Sequence, residues 1–132
     1  MASVLIVEDD SAVCDVLERF LKSAGYADVT AVPDAQAALL AMAGSQPTVV
    51  LCDVRLREGP NGLWLSERIR ELYPTTAIIL ATADDTIPPV QSLRKGIVAY
   101  LVKPFRREDV VRAVAEGVRW STTETAKGRT EE

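Results

Sequence analysis

Short apolar runs recur along the chain, separated by segments in which apolar residues return every three or four positions. Four of these runs are nearly continuous in apolarity and rich in β-branched residues, which is typical of parallel strands that helices cover on both faces. The run at 27–32 alternates polar and apolar residues instead, which favours an edge strand. The pattern therefore predicts five strands, at about 3–8, 27–32, 48–53, 77–82 and 97–102.

Amphipathic segments fill the gaps between the predicted strands. The first helix has Ser11 as its expected N-cap and Gly25 as its stop. The second to fifth helices are predicted at 34–43, 62–72, 84–95 and 105–119. In the fourth, Pro88 and Pro89 would break a helix interior, so we expect a short helix that begins near these prolines and ends at Gly96. This alternation predicts an α/β fold, a (βα)5 unit with a parallel sheet and right-handed crossovers.

Length and composition fit one compact domain with a short tail. The chain has 132 residues, of which 48% are hydrophobic, enough to build a core and too many for a disordered chain. We expect the domain at 1–120 and a polar, flexible tail at 121–132, where no apolar stripe occurs. No apolar run reaches the ~18 residues of a membrane span, and the N-terminus lacks the features of a secretory signal.

Charge and residue usage exclude several kinds of function. The net charge of −4 argues against binding of a phosphate backbone by the whole surface, so we expect no direct nucleic-acid contact and no membrane partner. The chain has no histidine, which excludes histidine-based catalysis and histidine metal ligands. Its two cysteines, Cys14 and Cys52, suit a reducing compartment, and we expect a cytoplasmic protein in which Cys52 is a structural thiol.

Four of the predicted strands end in residues that can do chemistry. These residues are Glu8 and Asp9 after the first run, Asp53 and Thr82 at the ends of the third and fourth, and Lys103 after the fifth. Because parallel strands end at one edge of the sheet, these side chains should lie close together. Three carboxylates would repel each other strongly, and Mg²⁺, a hard cation that prefers oxygen ligands, removes that repulsion. The set predicts a site that holds phosphoryl oxygens, with the aspartate as nucleophile.

The motifs around these residues resemble the receiver domain of two-component response regulators, a bacterial phosphorelay module. They are Ile6-Val7-Glu8-Asp9, Leu51-Cys52-Asp53, Ala81-Thr82-Ala83 and Tyr100-Leu101-Val102-Lys103-Pro104-Phe105, in family order over 3–119. Any one of them alone is weak, whereas together on a (βα)5 frame they are specific. The resemblance implies a flavodoxin-like, doubly wound parallel sheet with strand order 2-1-3-4-5.

The resemblance also implies a role for each matching residue. Asp53 matches the phosphorylated aspartate, and Glu8 and Asp9 match the acidic pair that holds Mg²⁺ together with Asp53 and the backbone carbonyl of Arg55. Thr82 and Lys103 match the hydroxyl and the ammonium that bind the phosphoryl group. Tyr100 matches an aromatic residue whose rotamer follows the threonine, and the Lys103-Pro104 bond should be cis.

The same resemblance implies the partners. The phosphoryl group would come from a histidine kinase or a histidine phosphotransfer protein. A downstream protein of unknown identity would bind a face built from the predicted fourth helix, fifth strand and fifth helix. The chain would be a signalling receiver and not an enzyme in the usual sense, apart from self-catalysed phosphoryl transfer and dephosphorylation. Formation of a homodimer stays open.

The chain departs from the family pattern after Asp53. The family usually shows a proline four residues after the aspartate and a glycine eight residues after it, whereas here Arg57 takes the proline's place and Gly62 comes nine residues on. This loop therefore has one extra residue and its own turn at Gly59-Pro60.

Several alternatives remain on the sequence alone. Taken singly, Glu8 or Asp9 could be an N-cap, Tyr100 could be simple packing, and Asp10 reads as an exposed acid before the first helix. The whole chain could be a receiver-like interaction module that is never phosphorylated, or a receiver excised from a hybrid kinase or a multidomain regulator. An aspartyl-phosphate hydrolase needs a second acid two residues after the nucleophile, and Arg55 occupies that place.

Overall fold

Five strands and four helices make up the part of the chain that the computed structural model describes, residues 2–56, 59–83 and 96–131. The strands are β1 (Ser3–Val7), β2 (Asp28–Val32), β3 (Val49–Asp53), β4 (Ala77–Thr82) and β5 (Ile97–Val102). The helices are α1 (Ser11–Ser23), α2 (Ala35–Gly44), α3 (Gly62–Leu72) and α4 (Arg107–Glu131). The predicted strands are confirmed to within one residue at each end, and α4 corresponds to the fifth helix of the sequence prediction. The helix predicted at 84–95 lies outside the described residues.

All strands are parallel and form one sheet in the order β2-β1-β3-β4-β5. This is the doubly wound order that the family resemblance implied, and β2 lies at an edge as its alternating pattern predicted. The order places β3 at the centre, between β1 and β4. Asp53, the last residue of β3, therefore lies at the middle of the carboxyl edge of the sheet.

The core consists of two apolar layers, one on each face of the sheet. One layer packs α1 and α4 against the sheet through residues such as Leu17, Leu21 and Val114. The other packs α2 and α3 through residues such as Met42 and Leu65. Each large side chain buried in this way stabilises the fold by roughly 1.5–3 kcal/mol. Coverage of both faces explains why the central strands read as continuous apolar runs.

The N-caps show how the sequence starts each helix, and one of them corrects the sequence analysis. Ser11 was expected to cap α1, but Asp10 does so, with its carboxylate accepting a hydrogen bond of 2.9 Å from the backbone N–H of Ala12. Asp10 is therefore an exposed cap and not merely a solvated acid. Asp34 caps α2 and Asn61 caps α3 in the same way, through hydrogen bonds of 2.8 and 2.9 Å.

The end of α4 is a second correction. The helix was expected to stop at 119 and to leave a polar tail from 121, but it continues to Glu131. Ser121 is buried, and its hydroxyl donates a hydrogen bond of 2.6 Å to the carbonyl oxygen of Thr75. Thr122 and Thr125 donate their hydroxyls to carbonyls one turn earlier in α4. The hydrogen bond between Ser121 and Thr75 ties this polar extension of the helix to the rest of the domain, and no apolar pattern could indicate it. The flexibility expected of the tail stays a prediction.

Glycine gives α4 its close approach to the sheet. A Cβ at Gly117 would lie 2.9 Å from Cγ2 of Val49 and 3.3 Å from Cβ of Ala77. Both contacted residues are the first of their strands, so this tight packing lies at the amino edge of the sheet. None of the described helices is long and apolar enough to cross a membrane.

Candidate functional site

The strand register brings the predicted site residues to one edge of the sheet. Val7 in β1 pairs with Cys52 in β3, so the residues that follow them, Glu8 and Asp53, come level with each other. Asp53 in turn pairs with Ala81 in β4, next to Thr82. Three strands that end side by side thus converge on Asp53, as the sequence predicted.

Three carboxylates form a compact cluster at this edge. Glu8, Asp9 and Asp53 can each offer an oxygen atom such that all three atoms lie within 4.8 Å of one another. Glu8 is 4% exposed and Asp53 is 6% exposed, whereas Asp9 is half-buried. Isolated ionised carboxylates are very costly to bury, so this cluster requires compensating positive charge.

Lys103 supplies part of that charge. Its Nζ donates hydrogen bonds of 2.7 Å to Oε1 of Glu8 and 2.7 Å to Oδ2 of Asp53. Burial by itself would lower the pKa of Lys103, but the hydrogen bonds to Asp53 and Glu8 outweigh it and raise that pKa above its ordinary value. The lysine is therefore a permanent cation that bridges two buried acids. The Lys103-Pro104 peptide bond is cis, which confirms the expectation from the resemblance.

Burial changes the ionisation of Glu8. Burial raises the pKa of Glu8 from 4.5 to about 7, and the hydrogen bond from Lys103 opposes that rise without cancelling it. A hydrogen bond with Asp9 and the charge of Asp53 push the pKa in the same direction as burial. Glu8 is therefore partly protonated near neutral pH.

This raised pKa predicts a pH-dependent stability. Between the pKa of about 4.5 that Glu8 has in the unfolded chain and about 7 in the folded protein, the folded state binds more protons. The free energy of unfolding should therefore fall as pH rises through this window, by up to about 3 kcal/mol for this group. Urea unfolding of the metal-free protein at about pH 5 and about pH 8 measures the change.

The matched variant for this prediction is Glu8→Gln, which keeps the shape and cannot titrate. Subtracting its pH dependence from that of the wild type removes the contribution of titrating groups that do not interact with Glu8. The difference should show the fall in stability between the two pH values. An identical pH dependence in the wild type and Glu8→Gln would contradict the raised pKa of Glu8.

Both oxygens of the Asp53 carboxylate have a partner. Oδ2 accepts from Lys103, and Oδ1 accepts a hydrogen bond of 2.9 Å from the backbone N–H of Arg55. The side chain of Arg55 is exposed at the mouth of the site. The role of the Arg55 carbonyl as a metal ligand stays a prediction.

Thr82 and Tyr100 lie on the other side of Asp53. Thr82 is 1% exposed, and its carbonyl oxygen accepts a hydrogen bond of 2.8 Å from the backbone N–H of Lys103. Tyr100 pairs with Leu80 in the neighbouring strand, and its hydroxyl oxygen is buried. The structure thus places both residues in β4 and β5 beside the site. Their coupled movement stays a prediction.

The donor set fits a magnesium ion. Mg²⁺ takes oxygen ligands at about 2.0–2.1 Å, so ligands of one ion lie about 3–4 Å apart, close to the spacing of this carboxylate cluster. The cluster contains only carboxylate oxygens, without sulfur or imidazole, which disfavours zinc. Glu8, Asp9 and Asp53 would hold the ion.

Gly62 stands out in the sequence only for its irregular spacing from Asp53, and its contact with the site was not predicted. Gly62 is the first residue of α3, and its N–H donates a hydrogen bond of 2.9 Å to the carbonyl oxygen of Val54. A Cβ at this position would overlap the carbonyl oxygen of Asp53. The glycine thus lets the start of α3 touch the backbone of Asp53. A glycine at the first position of a predicted helix was the only signal of this contact in the sequence.

Comparisons with solved structures agree with this architecture. The CheY-like response regulator receiver domain protein of Methanospirillum hungatei JF-1 is 27% identical, with a TM-score of 0.83 over 94% of this chain and 98% of that one. NtrX of Brucella abortus has a TM-score of 0.87 over 98% of this chain and 30% of its own, at 22% identity. The second likeness concerns the fold alone.

Sequence comparisons identify the family. The DNA-binding transcriptional regulator NtrC of Salmonella typhimurium is 34% identical over 116 residues, and that of Escherichia coli K12 is 35% identical over the same length. These matches cover 87% of this chain and 24% of each relative, so the chain spans about a quarter of the length of these curated relatives. The profile of the response regulator receiver domain matches residues 4–115. The chain belongs to the response regulator receiver domain family.

Proposed function

We propose that Asp53 accepts a phosphoryl group from a phosphohistidine on a histidine kinase or a phosphotransfer protein, with Mg²⁺ bound beside it. The observation that carries this proposal is the position of Asp53, buried between two further carboxylates and the ammonium of Lys103. The stability of the fold alone does not require a buried cluster of three acids and a lysine at the end of a strand. A phosphoryl group, with several negatively charged oxygens, needs such a mixture of cations and one carboxylate nucleophile.

The chemistry divides among the residues of this site. An Oδ atom of Asp53 forms a bond to phosphorus while the bond from phosphorus to the donor nitrogen breaks, which leaves an acyl phosphate on Asp53 and a free imidazole on the donor. Glu8, Asp9 and Asp53, with the backbone carbonyl of Arg55, would hold Mg²⁺, which would supply positive charge for the phosphoryl oxygens. Lys103 and the hydroxyl of Thr82 would contact the remaining oxygens of the transferred group.

The present contacts of Lys103 suggest how the site is prepared. Its ammonium is shared between Glu8 and Asp53, so it partly neutralises the same acids that would bind the metal. If Glu8 were to ligate a cation, Lys103 would leave Glu8 and keep its hydrogen bond to Asp53. Its raised pKa keeps it charged throughout this exchange.

The signal would pass to a downstream protein through residues at the same edge of the sheet. Thr82 and Tyr100 would move together on phosphorylation and change the face that β5 and α4 present. A cavity of about 330 Å³ lies on this face, bordered by Tyr100, Phe105 and Arg112. We propose that a downstream protein binds here. Phosphorylation can shift the balance between the inactive and the active conformation only as far as the phosphoryl group stabilises one of them more than the other.

Receiver domains are signalling modules, and we propose that this one carries out no other turnover than its own phosphorylation and dephosphorylation. The cytoplasm is the compartment that we propose, because both cysteines are free thiols. The NtrC relatives are named as DNA-binding transcriptional regulators and are about four times as long as the matched segment. We infer that this chain itself contacts a protein and not DNA.

A phosphorylation assay tests the proposal. The wild type mixed with Mg²⁺ and a small-molecule phosphoryl donor should gain one phosphoryl group by intact-mass spectrometry, and Asp53→Asn should gain none. Asp10→Asn is the matched control, because Asp10 is a nearby acid whose capping role asparagine can keep. It should be labelled like the wild type. No adduct on the wild type with several donors would instead favour a module that works without phosphorylation.

A further inference from the structure

The junction between β3 and α3 holds the backbone of Asp53 from two sides. On one side, the N–H of Val54 donates a hydrogen bond of 2.8 Å to the carbonyl oxygen of Ala81 in β4. On the other side, the carbonyl oxygen of Val54 accepts the hydrogen bond from the N–H of Gly62. The residues after Asp53 are therefore fixed between β4 and the first turn of α3.

The space at Gly62 is already filled by the backbone of Asp53. A Cβ there would overlap the carbonyl oxygen of Asp53 and would lie 2.9 Å from both its carbonyl carbon and Cα of Val54. All three obstacles are backbone atoms, which cannot rotate away as the end of a flexible side chain can. Gly62 makes this contact although it comes nine residues after Asp53. The chain turns at Gly59, which has a positive φ of 72°, and returns Gly62 to the end of β3.

We propose that Gly62 is a positioning residue for Asp53, fixing the backbone from which the phosphoacceptor carboxylate reaches Lys103. This inference rests on the proposed function of Asp53. A methyl group at 62 would push the Asp53-Val54 peptide by a sizeable fraction of an ångström or more. That peptide leads directly to the N–H of Arg55, which holds Oδ1 of Asp53, so the carboxylate would shift with it.

The structure offers a matched control in Gly117. A methyl group there also meets a packed neighbour, Cγ2 of Val49 at 2.9 Å, but at the amino edge of the sheet. Val49 and Asp53 are the two ends of β3, which places the control about 13 Å from the site. Both substitutions should destabilise the fold, and only Gly62→Ala should displace the phosphoacceptor.

The experiment compares the full-length wild type, Gly62→Ala and Gly117→Ala in saturating Mg²⁺, at a temperature where denaturant curves show all three fully folded. Labelling of Asp53 by a small-molecule phosphoryl donor is followed over a range of donor concentrations. The maximal rate should fall at least about tenfold in Gly62→Ala, since small misplacements of reacting groups cost up to about 100-fold. In Gly117→Ala it should stay within about twofold of the wild type. Equal maximal rates in the two variants would overturn the inference.

A second pair of variants serves if Gly62→Ala does not fold. Asn61→Ala removes the cap that holds the first turn of α3, and Asp34→Ala removes the equivalent cap of α2. The two caps make equivalent hydrogen bonds and should contribute similar stability, so distance from Asp53 is what separates them. Asn61→Ala should slow the maximal rate at least about threefold more than Asp34→Ala. Equal slowing would overturn the inference, whereas a wild type that is never labelled would overturn the proposed function instead.

Discussion

Replacement of Lys103 by alanine should lower the maximal rate of Asp53 phosphorylation by about 100-fold or more, the typical cost of removing one preorganised donor to a developing negative charge. In the present structure the ammonium bonds to Glu8 and Asp53 at 2.7 Å each. Without it, the phosphoryl oxygens lose a charged partner and the two buried acids lose their shared counter-charge. The rate of labelling by a small-molecule donor at saturating Mg²⁺ measures the loss.

The same Lys103→Ala substitution should also change the pKa of Glu8. The hydrogen bond from Lys103 lowers the pKa of Glu8, so removing the lysine should raise that pKa beyond its value of about 7. The control is Lys22→Ala, which removes an exposed lysine at the end of α1. It should leave the labelling rate within about twofold of the wild type, since it touches nothing at the site. A Lys103→Ala protein that is labelled as fast as Lys22→Ala would show that the lysine has no part in the transfer.

Removal of divalent metal should have an effect of similar size. In excess EDTA, the labelling rate of the wild type should fall by about 100-fold or more. Without a metal ion, the negative carboxylate cluster repels the negative oxygens of the incoming phosphoryl group. Asp9→Asn should raise the Mg²⁺ concentration needed for half-maximal labelling by at least about tenfold, since it deletes one charged ligand. High Mg²⁺ should restore part of its rate. The titration of labelling rate against Mg²⁺ separates weak binding from a damaged site.

Asp10→Asn is the control for the metal titration as well. Asp10 is adjacent to Asp9 but turns its carboxylate to the N–H of Ala12 at the start of α1. Its variant should keep the wild-type Mg²⁺ requirement, and an equal shift in both variants would mean that general negative charge, and not ligation by Asp9, sets the affinity. Persistent labelling of the wild type in EDTA would contradict the role of the metal altogether.

The chemistry of the site was largely readable from the sequence because it depends on where strands end. A buried parallel strand leaves a continuous apolar run, and the first polar residue after it must lie at the sheet edge. The sequence alone could therefore place Asp53, Glu8 and Lys103 in one site. What the runs could not show is that Lys103 bonds to both acids at once, since that depends on side-chain conformation.

The errors came from residues whose role depends on alternatives of nearly equal energy. Asp10 and Ser11 are both good N-caps, and the pattern cannot tell which of them has extended backbone and which begins α1. The polar end of α4 lacks an apolar stripe, yet the buried hydroxyl of Ser121 finds the carbonyl of Thr75 and the helix continues. Such pairing between residues far apart in the chain has no local signature.

Gly62 illustrates a third limit. Its spacing from Asp53 looked like a departure from the family pattern, and only the fold shows that the glycine nevertheless lies against the end of β3. Spacing along a loop is a weak guide to position in space, because loops tolerate insertions at little cost. A close approach of two backbones, in contrast, admits no residue but glycine.

The most direct test that Asp53 is the phosphoacceptor is to locate the phosphoryl group by chemical trapping. The wild type, labelled by a small-molecule donor in Mg²⁺, is treated with borohydride, which reduces an acyl phosphate on aspartate to homoserine, and the peptides are sequenced by mass spectrometry. We predict homoserine at position 53 in the wild type and aspartate there in a sample that received no donor. Homoserine at another aspartate, or a labelled protein with unaltered Asp53, would show that Asp53 is not the phosphoacceptor.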